Sequence, residues 1–124
     1  MTYTHPKISI RLAPELGQNC IYFSFKDKFT LDASENATRY WSGLFDANVD
    51  VAYRFVWDCS QMTGFEPSAR KEWYTAMKKH KNRISHITII SPSLLIRGAA
   101  RVMMEAFGIK SKMLKTKEGL HQLV

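Results

Sequence analysis

The chain has 124 residues, 45% hydrophobic and 12% aromatic, and a net charge of +7, which is one domain's worth of chain with too much apolar content to stay disordered. No apolar run approaches the ~20 residues of a bilayer span, and residues 1–11 hold no signal-type apolar segment. Cys20 and Cys59 lie in separate apolar runs without metal or redox spacing, so a single cytoplasmic domain over residues 1–124, free of cofactor and structural metal, is expected.

Ile8-Ser9-Ile10-Arg11-Leu12 alternates apolar and polar residues, the pattern of a half-buried strand. Pro14 and Gly17 punctuate a turn, and the aromatic, β-branched run Cys20 to Phe25 reads as the hairpin partner. The period then changes. Ala33, Ala37, Tyr40, Trp41, Leu44 and Phe45 recur at spacings of three and four, one apolar stripe on a helix that Asp32 or Ser34 caps. Val51, Tyr53, Phe55 and Trp57 alternate while Ala52 and Val56 make the other face apolar too, which predicts a strand buried on both sides.

Thr63 to Ser68 reads as a loop, with Pro67 opening the next helix. Ala69, Trp73, Ala76, Met77 and His80 continue its inner stripe, and the basic residues at 70, 71, 78, 79 and 81 lie mostly off it. Ile84, Ile87, Ile89 and Ile90 form a strand. Ser93 caps a helix carrying Leu95, Ile96, Ala99, Ala100, Met103 and Phe107 inward, and Gly108 ends it. Lys112-Met113-Leu114 is a short edge strand, and Thr116 caps a terminal helix reaching Leu123. The order β-β-α-β-α-β-α-β-α predicts an α/β domain with a mixed, largely parallel sheet of about five strands.

The segment Trp57-Asp58-Cys59-Ser60-Gln61-Met62-Thr63-Gly64-Phe65-Glu66-Pro67-Ser68-Ala69 resembles the central motif of STAS domains, the anti-sigma factor antagonist family. In that motif a buried strand ends in Asp-(apolar)-Ser-Gly-Val-Thr, and Asp-Ser-Ser-Gly follows at a helix start. The chain matches at Asp58, Ser60, Thr63 and Ser68, and in chemical character at Met62, Glu66 and Ala69. Leu31-Asp32-Ala33 is similar to the family's entry to its first helix, and Ser91-Pro92-Ser93 through Phe107-Gly108-Ile109 to its fourth strand exit, third helix and closing Gly-apolar turn. Pro67 and Ala69 depart from the family's serine and glycine, and Glu66 from its aspartate.

The resemblance implies a STAS-like fold and a non-catalytic regulatory module whose partner is a protein, such as a kinase-type anti-sigma factor or another signalling protein. It places Ser68 at the phosphoacceptor position. The docking surface it implies joins Thr63, Gly64, Phe65, Glu66 and Ser68 with Arg70, Lys71 and Tyr74 on the following helix.

Two alternatives come from the residues themselves. Residues 70–124 hold twelve Lys/Arg against three Asp/Glu, whereas residues 1–69 hold six against eight. A basic face of that kind suits nucleic acid or a phospholipid surface, although no reading helix or aromatic platform accompanies it. An apolar ligand among Tyr40, Trp41, Tyr74 and the methionines is the other alternative, and their helical spacing favours ordinary core instead. No enzyme is expected: no arginine-ended phosphate loop follows Cys59, Asp58 has no converging partners in sequence, and His5, His80, His86 and His121 lack metal spacing.

Overall fold

A computed structural model describes residues 2–123 and places six strands in one sheet. β1 (Thr2–His5) and β2 (Ile8–Leu12) form a hairpin, and β2 pairs antiparallel with β3 (Cys20–Phe29). From β3 onward the pairing is parallel, through β4 (Tyr53–Phe65), β5 (Ile84–Ile90) and β6 (Ser111–Leu114). The spatial order equals the chain order, β1-β2-β3-β4-β5-β6. Helices α1 (Leu31–Ala47), α2 (Pro67–His80) and α3 (Leu94–Phe107) make the parallel crossovers.

All three helices pack on the same face of the sheet, because one core cluster joins Trp41 of α1, Trp73 and Met77 of α2 and Met104 of α3 to Phe23, Phe55 and Ile87. Trp73 is its hub, with ring centroids 5.5–5.8 Å from Phe23, Phe25, Phe29 and Trp41. The opposite face is covered differently. A 3₁₀ turn at Pro14–Leu16 and a 3₁₀ segment at Lys117–Leu123 bring Leu16 and Leu120 onto a small cluster with Cys20, Val56 and Ile90. The predicted burial of the central strand on both sides holds from Phe55 to Cys59, whereas Arg54 is half-buried and Ala52, before the strand begins, is exposed.

Several expectations need correction. The sheet has a further edge strand, β1, because Thr2–His5 pairs in register with Ile8–Arg11 (Thr2↔Arg11, His5↔Ile8). The predicted loop at Thr63–Ser68 is strand as far as Phe65. β3 and β4 stay paired to Phe29↔Phe65 across two register shifts, and burial of Phe29 and Phe65 against the core offsets the turn-like Met-Thr-Gly sequence. The cap of α1 is Thr30, whose Oγ1 accepts from the Ala33 amide at 3.3 Å, rather than Asp32 or Ser34. The C-terminal segment is 3₁₀ and not an α-helix, starting at Lys117. Ser93 caps α3 as its sequence predicts, accepting from the Ile96 amide, and Gly108 ends it at a left-handed φ of 66°.

Candidate functional site

The β4–α2 junction is fixed by Glu66. It stands at the N-cap of α2 without capping it. Its carboxylate instead accepts from the Leu31 amide at 2.7 Å, so it satisfies an orphan N–H in the first turn of α1. The Ser34 hydroxyl donates to the Ala69 carbonyl at 2.9 Å, which ties the same two helices together from the other side. Pro67 occupies the first turn of α2, as predicted, and Ser68 follows it, exposed.

Beyond this junction α2 and α3 diverge. α2 packs on α1, whereas α3 packs on β5 and β6, and an open groove runs between α2 and α3. Arg70, Lys71 and Tyr74 form its α2 wall; Leu94, Leu95 and Val102 form its α3 wall. Those three apolar side chains are 68–77% exposed, and Tyr74 is 40% exposed with its ring 4.6 Å from that of Phe107. The groove therefore gathers Phe65, Arg70, Lys71 and Tyr74 from the predicted docking set, and Thr63, Gly64, Glu66 and Ser68 lie outside its lining.

Leu95 corrects the sequence reading, which turned it inward beside Ile96: Leu95 is 77% exposed, and Ile96 is buried as expected. The helix begins with Leu94-Leu95-Ile96, and three consecutive apolar residues cannot all face one side at 100° per residue. That run is the signal for an unpartnered apolar face, and periodicity alone did not reveal it.

A second cleft lies deeper, under α3, between Phe25, Phe29, Trp57, Met62, Ile96 and Met103. Its lining is almost wholly apolar apart from Arg70, and Arg70 sits with its guanidinium 5.8 Å from the Phe65 ring. The Nε1 of Trp57 is buried and has no acceptor. Cys59 also lines the cleft, and burial pushes its thiol far above its ordinary range, which leaves it unreactive. Of the aromatics expected around an apolar ligand, Tyr40 stacks on Tyr3 and Trp41 is fully buried core. Tyr74 lines the outer groove, and Met62 and Met103 reach the cleft.

The motif residues Asp58 and Ser60 point to the other face of the sheet. Asp58 is 2% exposed. It accepts from the Tyr22 hydroxyl at 2.6 Å, the Ser60 hydroxyl at 2.5 Å and the Ser60 amide at 3.1 Å, and pairs with Lys117 Nζ at 2.9 Å. Burial raises its pKa, but these donors outweigh burial and hold the carboxyl below the ordinary range. The Tyr22 hydroxyl is pushed up by burial and by the carboxylate it donates to. With every oxygen committed, Asp58 works as a structural anchor for the C-terminal segment. Among the described residues, no group of three or more His, Cys, Asp or Glu is placed to hold a metal, and no helix is long and apolar enough to cross a membrane.

No family model matches the sequence, and no curated protein matches it. Solved structures do. One is an uncharacterised protein of the DUF3478 family with a SpoIIAA-like fold from Shewanella loihica PV-4, 18% identical, covering 98% of this chain and 97% of that one at a TM-score of 0.77. Another is the anti-sigma factor antagonist SpoIIAA in its unphosphorylated form, 11% identical over 90% of each chain, with a TM-score of 0.63. At such identities the likeness concerns the fold alone: this chain has a SpoIIAA-like α/β fold.

Proposed function

We propose that the domain is a non-catalytic regulatory module of the cytoplasm that docks an acidic, amphipathic segment of a signalling protein in the α2–α3 groove. The observation that carries this reading is the exposure of Leu94, Leu95 and Val102 opposite Arg70 and Lys71. Exposed apolar side chains facing a basic wall complement a helix with one apolar and one acidic face. The SpoIIAA fold, carried by a protein described as an anti-sigma factor antagonist, supports a regulatory role.

Ser68 is the switch in this reading. It is exposed in the first turn of α2, two residues before Arg70 and three before Lys71. A phosphate there is stabilised by the helix N-terminus and adds nearly two negative charges beside the basic wall. Ser68→Asp is expected to keep the melting temperature and weaken docking of an acidic partner.

Site-specific photocrosslinking in the native cell tests the proposal. A crosslinker at Leu95 is expected to trap one protein partner saturably, the adduct disappearing with Lys71→Glu, whereas a crosslinker at Ser9 on the opposite face traps none. Adducts only with lipid, or only with a second copy of the chain, would overturn it.

A further inference from the structure

The face of the sheet away from the helices carries a second feature, at the amino ends of the parallel strands. Register places Arg54 of β4 beside His86 of β5. It also sets Ser111 beside Ile87 and Lys112 beside Thr88, which puts Lys110, one residue before β6, beside His86. The Lys110 carbonyl accepts from the Ile87 amide at 3.0 Å and so extends the ladder through that residue. Alternation then turns all four side chains to one face. Val56 and Ile90, which share their parity, lie in the small cluster there, whereas Ile87 and Ile89 face the helices.

Three adjacent strands thus carry Arg54, His86 and Lys110 in one row, about 4.8 Å apart from strand to strand, with Lys112 one step further along. Like charges on neighbouring strands repel and cost stability. Lys110 and Lys112 are exposed, and neither has an ion-pair partner among the described residues. Arg54 is half-buried and donates to the Leu16 carbonyl at 3.4 Å. The Nδ1 of His86 is buried without a partner. Burial and then Arg54, Lys110 and Lys112 all push this imidazole below its ordinary pKa, and no carboxylate among the described residues opposes them.

We propose that Arg54, His86, Lys110 and Lys112 form a binding site for a phosphate monoester, on the face opposite the α2–α3 groove. The dimensions favour a terminal phosphate over a polymer backbone. The row spans three adjacent strands, and the lysine ammonium groups beside the imidazole can supply charge-assisted hydrogen bonds to a single dianion, with Arg54 adding positive charge. His86 completes the set when its ring takes a proton, which the bound dianion favours.

The imidazole is also the reporter. In ring-nitrogen NMR, with the His86 signal assigned by its loss in His86→Gln, phosphoserine is expected to raise the His86 midpoint saturably by about one pH unit. Sodium chloride at the same ionic strength is expected to give no saturable shift. The double variant Lys110→Gln/Lys112→Gln, changed only at exposed positions and relieved of the repulsion, is expected to melt no lower than the parent and to lose the phosphoserine response. Inorganic phosphate giving the same response identifies the free ion as sufficient, and a response to phosphoserine alone identifies the ester; either supports the site. Equal responses to chloride and phosphoserine, retention of the response in the double variant, or a response only to a single-stranded oligonucleotide would overturn the proposal.

Discussion

Asp58 and Glu66 are both carboxylates in the motif region, and the structure gives them opposite surroundings. Asp58 is buried and its carboxyl is held below the ordinary range, so the unfolded chain binds that proton more tightly than the folded one. Its stabilisation is therefore complete above the unfolded carboxylate value of about 3.9 and is lost as pH falls through the lower folded value. Thermal melts from neutral pH down to strongly acidic pH are expected to show Asp58→Asn destabilised by about 1–3 kcal/mol at neutral pH, with a flatter loss in acid. An acid limb equal to the parent's would assign the sensitivity to other carboxylates. The Lys117 side chain is 56% exposed, so Lys117→Met is expected to cost about 1 kcal/mol or less. Glu66 caps α1 from across the junction. Glu66→Ala is expected to lower stability by about 1 kcal/mol, and Glu66→Gln, which keeps an acceptor, by less; denaturant melts of the two variants separate them.

Elements built on strong periodicity were legible in the chain. The α1 stripe of Ala33, Ala37, Trp41 and Phe45 is buried as its spacing required, and Trp73, Met77 and His80 do the same for α2. What escaped was set by pairing partners distant in sequence. Thr63-Gly64-Phe65 has turn composition, and only the continued ladder to Lys28 and Phe29 makes it strand. Thr2–His5 is too short to announce itself without β2 beside it. The groove was half legible, since Arg70, Lys71 and Tyr74 followed from the motif while Leu94, Leu95 and Val102 needed the observed rotation of α3. The cationic row was invisible for a related reason: Arg54, His86 and Lys110 meet only through strand register. The exposed and buried faces of these helices predict contrasting mutants. Leu95→Glu is expected to shift stability by no more than about 0.5 kcal/mol, because its side chain is 77% exposed. Trp73→Ala, at the hub of five aromatic neighbours, is expected to cost about 3–5 kcal/mol. Urea titrations measure both, and a Leu95→Glu loss comparable to that of Trp73→Ala would mean that α3 is packed more tightly than described.

At the scale of the molecule, the sheet separates two surfaces: an apolar and basic groove among the helices, and a cationic row on the reverse. The strand order that produces this division also bears on how the molecule comes into being. Each strand neighbours the one made just before it, and no strand is inserted between two earlier ones. Sequence separations between pairing partners stay as short as a helical crossover allows, so the loop-closure entropy of each step is small. A chain emerging from the ribosome can add β4 to an existing β1–β2–β3 meander, then β5, then β6, with each helix closing over the strand pair just completed. Arrest of synthesis after β5 would leave a growing edge whose next strand, Ser111–Leu114, is only four residues long. The segment from Lys117 onward, made after β6, then places its ammonium on Asp58, a carboxylate some sixty residues earlier in the chain, and covers part of the reverse face.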